Sequence, residues 1–466
     1  MRRLPVAWLA VAFMLPALAS AVRPFAAVDS SAVALTHVRV IDGTGAPPKA
    51  DQTIIIRDGR IAATGNSAEI QVPAGVRTMD LTGKSVIPGL VMVHEHLHYP
   101  TGPGVYGNLA ESFSRLYLAG GVTSMRTAGG MNGYNEIGIK RAIDRGEKPG
   151  PWIDVTAPYL EGPGLGLDQM HDLVDAADAR RMVAFWNDAG ATSLKVFMHI
   201  TQDELQAVID EGHKRGLKVT GHLCSVTYRE AADLGIDNLE HGFFAATDFV
   251  ADKKPDVCPD QALALQSLAA VDPAGDAMRS LMRHLIDRKV ALTSTLPVLE
   301  TFTPRRPLPP GLDVLDPILR QQFLQTKAGI DRDTTSVFTT LYPKLAKLDV
   351  EFFRAGGLLL AGTDPTGIGG VIAGYSDQRE LELLVEAGLT PLEAIEVCTL
   401  NGATFLGRGD LVGSITAGKQ ADLVVIDGDP STRIEDVRRV TLVFKQGVGY
   451  DPQKLIASVR GRVGLF

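Results

Sequence analysis

The stretch Val86-Ile87-Pro88-Gly89-Leu90-Val91-Met92-Val93-His94-Glu95-His96 decides how the rest of the chain is read. It is apolar and β-prone up to its last three residues. Side chains alternate along a strand, so His94 and His96 point the same way at its end. Two imidazoles on one face make half of a metal site. By itself the pair is weak evidence, because an H-x-H arises by chance in a chain of 466 residues. The region also satisfies H-E-x-x-H across His94, Glu95 and His98, a zinc-protease signature that requires a helix. The strand-like approach and the Pro- and Gly-containing residues 100–104 that follow oppose a helix.

Outward from this stretch, strand candidates alternate with helix-sized segments. The strands are expected at 85–94, 123–127, 153–157, 193–197, 218–222, 238–241, 291–293 and 358–364. The helix before the fifth opens on the capping box Thr201-x-x-Glu204 and ends at Arg215-Gly216. Eight such units predict an α/β fold, a parallel (β/α)₈ barrel of the TIM type whose site lies at the C-terminal strand ends. Residues 304–342 exceed an ordinary connection and are expected to be a helical insertion before the eighth strand. Short strands at 34–41, 53–57, 60–64 and 77–80, matched by 423–426 and 440–445, predict a small β-sandwich domain built from both termini. The expected division is 1–21 as a signal peptide, 32–86 and 409–456 as the sandwich, and 87–408 as the barrel.

The length suits a large barrel with a smaller domain. An apolar fraction of 45% and a charged fraction of 21% are those of a soluble globular protein, and a net charge of −8 argues against a nucleic-acid partner. Arg2 and Arg3, the apolar run after them and Ala19-Ser20-Ala21 form a secretory signal. That run is broken by Pro16 and falls short of the ~20 residues that span a bilayer. The mature chain is therefore expected in the periplasm or secreted, without a stable membrane anchor. Cys224, Cys258 and Cys398 are too few for a disulfide framework, match no metal or redox spacing, and are expected to be packed or idle thiols.

Further ligand types recur at the ends of other expected strands. Lys195 ends the fourth, His222 the fifth, His241 the sixth and Asp364 the eighth. Each has a bland reading alone, a solvated lysine or a satisfied polar residue. Their succession around one barrel rim does not.

With these residues the chain resembles the amidohydrolase superfamily, in its imidazolonepropionase-like and prolidase-like branch. The resemblance rests on Pro88-Gly89-Leu90 before His94-x-His96, on Glu240-His241-Gly242 and on Gly362-Thr363-Asp364. It continues through Gly413-Ser414-Ile415, Gly418-Lys419 and Ala421-Asp422-Leu423-Val424-Val425. Met92 departs from the Asp common two residues before the first histidine, a position that is not a ligand. The resemblance implies a binuclear centre, two divalent ions with zinc first and manganese, iron or nickel open. His94 and His96 would hold one, His222 and His241 the other. Lys195 would bridge as a CO₂-derived carbamate, since an ammonium has no lone pair. Asp364 would complete the first site and shuttle protons. Coordination would bring the pKa of water from ~15.7 towards ~7 for attack on a carbonyl.

Specificity should lie in loops after the strands, where His98, Tyr99, Tyr106, Arg126, His199 and Tyr228 are candidate substrate contacts. Met198 and Cys224 stand beside them. Arg126 and His199 are read either as carboxylate contacts or, equally, as a barrel-wall ion pair and a loop residue. The first reading of function is an exported amidohydrolase acting on a C–N bond of a dipeptide or N-acyl amino acid. Ester, lactone or phosphotriester hydrolysis is the alternative, and a non-catalytic scaffold a third. The partner is a small molecule or short peptide, and no stretch shows a clear interface for a homo-oligomer.

Overall fold

A computed structural model describes residues 19–102, 104–167 and 169–466. The signal-peptide expectation falls mostly on residues 1–18, outside the described residues. Eight parallel strands follow one another in chain order: β1 (Leu90–Glu95), β2 (Val122–Thr127), β3 (Trp152–Asp154), β4 (Ser193–Val196), β5 (Lys218–Gly221), β6 (Asn238–Glu240), β7 (Ala291–Ser294) and β8 (Leu359–Ala361). β3, β2 and β1 form one sheet and β4 through β8 belong to another. Thr156 bridges Ser193 in parallel, and Thr192 N donates to Val155 O at 2.7 Å, linking the β3 side to β4. At the other edge Thr363 N and Asp364 N both donate to His94 O, at 3.0 and 3.1 Å. This approach needs Gly362, because a Cβ there would lie 2.3 Å from that of His94.

The stretch expected as one strand over 85–94 is two. Lys84–Pro88 pairs antiparallel with Leu423–Asp427 in the terminal sheet, and β1 starts at Leu90. Between them Gly89 passes so close to β2 that a Cβ would sit 2.1 Å from Thr123 Oγ1. The residues of H-E-x-x-H lie in β1 and in a following hairpin, His98–Gly102 with Val105–Asn108, so the helical zinc-protease reading falls.

Both termini contribute to one continuous nine-stranded mixed sheet with its own apolar cluster, including Leu35, Ile54, Val86, Leu423 and Phe444. The expected sandwich is thus hydrogen-bonded as a single sheet. Ala32–Val40 pairs with Arg77–Asp80 through residues 33–36 and with Lys84–Pro88 through 39–40, changing partner at His37, whose φ is 56°. Such a bend lets one strand serve two layers. The sheet also starts earlier than expected, because Ala26–Val28 pairs with Val448–Tyr450. Val22 is buried against Leu118, Ala119 and Tyr450.

The capping box at Thr201 and Glu204 forms as expected, and Gly216 follows the helix with φ 72°. The insertion before β8 contains the helix Pro317–Arg332 and the start of Phe338–Arg354. Among the described residues no helix is long and apolar enough to cross a membrane.

Candidate metal centre

The centre is built from strand ends. His94 closes the buried β1, and His96 lies two residues on, on the same face. Each has one ring nitrogen fixed by a partner that only accepts. His94 Nδ1 donates to Glu240 Oε2 at 2.7 Å, and His96 Nδ1 donates to the Gly129 carbonyl at 3.0 Å. The other nitrogens turn to Asp364, with Nε2 of His96 3.2 Å and Nε2 of His94 3.7 Å from Oδ1. His94, His96 and Asp364 converge so that one ligand atom from each lies within 4.8 Å of the others. Asp364 takes a left-handed backbone, φ 55°, as does His241, φ 64°. Non-glycine residues held there are uncommon and cluster at functional sites.

The electrostatics explain what the convergence is for. Burial lowers the His94 imidazolium to about 4, helped by Lys195, so the ring is neutral. Burial pushes the Asp364 carboxyl up, but its hydrogen bond to His96 and the neighbouring His94 and His241 hold it well below the usual range. Nε2 of His96 and the Asp364 carboxylate thus meet beside the neutral His94 ring. The three side chains present two imidazole nitrogens and a carboxylate oxygen to one point, where a cation could be held. Two imidazoles and a carboxylate suit zinc and similar divalent ions.

Beside this trio the His222 and His241 rings are 4.5 Å apart, and His241 is also 4.5 Å from His94. His241 Nδ1 meets Thr295 Oγ1 at 2.8 Å. Burial lowers His222 to about 3. Lys195 is fully buried between the Tyr159 and Phe197 rings, with Glu240 Oε1 3.9 Å from its Nζ. Burial lowers its ammonium to about 8. All six sequence-predicted ligands therefore lie at one rim.

Glu240 was visible only as the neighbour of His241, yet it organises the floor. It contacts His94, Lys195 and Arg126. Burial favours its neutral form, but the hydrogen bond from His94 and the charges of Lys195 and Arg126 keep the carboxyl well below its usual range. Tyr159 was also missed; its hydroxyl is 3.5 Å from His96 Nε2. Its place two residues beyond the strand expected at 153–157 was the available signal.

Of the candidate substrate contacts, Arg126 takes the barrel-wall reading and Tyr228 is corrected. Arg126 spends all five donors on Val93 O, Leu194 O, Ser193 Oγ, Thr220 Oγ1 and Glu240, which makes it barrel wall. Tyr228 is buried with its hydroxyl on the Glu240 and Gly242 carbonyls. Tyr99 is buried and accepts from Gly370 N at 2.7 Å. His199 stays at the rim, its backbone N–H on Glu161 Oε1 at 2.6 Å. His98 and Tyr106 do reach the centre. The His98 ring lies 4.4 Å from that of His96 and 5.4 Å from that of Tyr106. The cysteine expectation is corrected as well: Cys224 and Cys258 form a disulfide with Cα atoms 4.9 Å apart, and only Cys398 is free and buried. Cysteines 34 residues apart come together because the segments after β5 and β6 are neighbours on the rim.

Comparison with known proteins agrees with this geometry. The amidohydrolase family model matches residues 333–449. The chain is 24% identical over 419 residues to imidazolonepropionase from Porphyromonas gingivalis, covering 84% of this chain and 85% of that protein. It is 24% identical over 407 residues to adenine deaminase 3 from Rhizobium meliloti, covering 86% of this chain but spanning only 55% of that longer protein. Among solved structures, a Bifidobacterium longum protein provisionally described as a prolidase superposes with a TM-score of 0.68 at 26% identity, covering 90% of this chain and 94% of its own. The chain is thus similar to amidohydrolases over most of its length, and its fold is the α/β type containing a TIM barrel.

Proposed function

We propose that this chain is a binuclear metal-dependent hydrolase that cleaves a C–N bond in a dipeptide or N-acyl amino acid. The observation that carries the reading is the convergence of His94, His96 and Asp364, buried and with one ligand atom from each within 4.8 Å of the others. His94, His96 and Asp364 would hold one ion, and His222 and His241 the other. Lys195 as a carbamate would join them; burial lowers its ammonium to about 8, which supports access to the neutral amine that reacts with CO₂. Bound divalent ions, zinc by this donor set, supply activated water and polarise the scissile carbonyl. Glu240 and the Gly129 carbonyl orient the β1 histidines. Asp364 is placed to take a proton from the attacking water and return it to the departing amine, which would be too basic to leave as an anion. The bonds joining β8 to β1 support a barrel of eight strands closed on itself. The Cys224–Cys258 disulfide supports an oxidising compartment and hence export to the periplasm or beyond.

The test is metal analysis with a substrate screen. Zinc-loaded protein is expected to hold about two ions per chain and to hydrolyse members of a dipeptide and N-acyl-amino-acid library. Lys195→Ala is expected to lose metal and most activity. Protein equally active after complete metal removal, or activity confined to ester and phosphotriester controls, would overturn the reading.

A further inference from the structure

A cavity of about 430 Å³ opens beside the metal centre, between the hairpin 98–108, the helix Pro317–Arg332 and the loop that follows Asp364. Its walls include Tyr99, Tyr106, Leu319, Gln322, Phe323 and Ile368, and none of the residues lining it is charged. Its volume falls in the range that takes a small-molecule substituent.

One wall residue connects the cavity to the rings of the centre. Tyr106 forms part of its wall and stands edge-on to His98, which stacks at 4.4 Å on His96. The loop on the opposite wall starts at Asp364, whose Oδ1 accepts from Thr366 Oγ1 at 2.8 Å, and is pinned further along where Gly370 N donates to Tyr99 Oη. His98 is 2% exposed, and neither of its ring nitrogens has a hydrogen-bond partner among the described residues. A buried polar group left without a partner costs free energy, so such a ring awaits a ligand. The arrangement is an uncharged cavity whose Tyr106 wall stands against a buried imidazole with no hydrogen-bond partner among the described residues.

We propose that this cavity is the specificity pocket of the enzyme, taking an uncharged aromatic or branched aliphatic substituent of the substrate while His98 hydrogen-bonds a polar atom next to it. The assignment rests on the hydrolase reading for its meaning but not for its test. A charged substituent would have to shed its water in a cavity with no counter-charge. An apolar one is favoured by the area it removes from water.

Amino-acid hydroxamates bind hydrolytic metal centres whatever bond the enzyme cleaves, so a ladder of them reads the pocket directly. On zinc-replete protein, phenylalanine and leucine hydroxamates are expected to bind about tenfold or more tighter than lysine and aspartate hydroxamates, by titration calorimetry. Gln322 and Thr326 sit exposed on the pocket's helical wall, so Gln322→Glu with Thr326→Glu should fold normally. That double variant is expected to tighten lysine hydroxamate about threefold and weaken aspartate hydroxamate. Replacing His98 with Phe is expected to weaken the whole ladder with the metal content retained. Equal or absent binding across the ladder, or a double variant that leaves the order unchanged, overturns the pocket. A steep ladder with no hydrolysis of any amide would instead overturn the hydrolase reading and leave the pocket standing.

Discussion

The two halves of the proposed metal centre are held in different ways. On the β1 and β8 side, His94 and His96 each have a ring nitrogen fixed by a buried carboxylate or a backbone carbonyl, and Asp364 is tied through Thr366. On the β5 and β6 side, His241 has a hydroxyl partner in Thr295, while His222 is placed by contacts with Phe197, His241 and Phe244. What stiffens this second side is covalent. The Cys224–Cys258 disulfide, two residues beyond His222, ties the loop after β5 to the segment after β6. Thr247 Oγ1 adds a bond to Cys224 O at 3.1 Å. The first half is preorganised by hydrogen bonds to the ligands themselves, the second by fastening the loops that carry them. Ligand orientation should therefore depend on charge in one half and on chain constraint in the other.

Breaking the first half should cost most. Glu240→Gln removes the anion that orients His94 and leaves Arg126 and Lys195 buried without it. Metal affinity at the β1 side is expected to fall ~10–100-fold, with stability lower by roughly 3–5 kcal/mol. Metal titration and denaturant unfolding check both effects. If the β5 side loses metal first, the contrast between the halves is wrong.

The disulfide comes next. Its sequence separation of 34 residues predicts that Cys224→Ser with Cys258→Ser costs about 3–4 kcal/mol, read as a fall in unfolding midpoint. The second ion should weaken more than the first, in titrations that resolve the two. Equal weakening would mean the disulfide serves the fold and not the second half.

The smallest effect sharpens the same comparison from behind β6. Asp349 lies against Gly242, and burial raises its carboxyl to about 7. A carboxyl whose folded pKa lies above its ordinary value of about 3.9 contributes stability that is complete below that value and lost as pH rises through the folded pKa. Asp349→Asn escapes this loss, so its melting temperature relative to the parent is expected to rise by about 2 °C between pH 5 and pH 8. A difference independent of pH would show that Asp349 is ionised in the fold.

Much of this site was legible because strand geometry is regular. The alternation that puts His94 and His96 on one face is a property of any strand, and strand ends in such a barrel share one rim. The same regularity made the capping box at Thr201 and the helical insertion before β8 readable. The residues left open or misjudged are those whose role depends on what surrounds them. Arg126 reads in sequence as a carboxylate contact or, equally, a barrel-wall ion pair, and only its five donors, taken by groups from β1, β4, β5 and β6, decide for the wall. Tyr228 looks like a rim residue until its hydroxyl is seen on the Glu240 and Gly242 carbonyls.

By itself the sequence determined which chemistry-bearing residues end which strands, because local periodicity and capping are short-range properties of the chain. Only the tertiary structure decided how those ends are charged and tied. The Glu240 contacts to His94 and Arg126 span 146 and 114 residues, and the pairing of Cys224 with Cys258 spans 34. A contact between distant residues leaves no local pattern, and hydrogen-bond partners and buried charges are set by packing between elements.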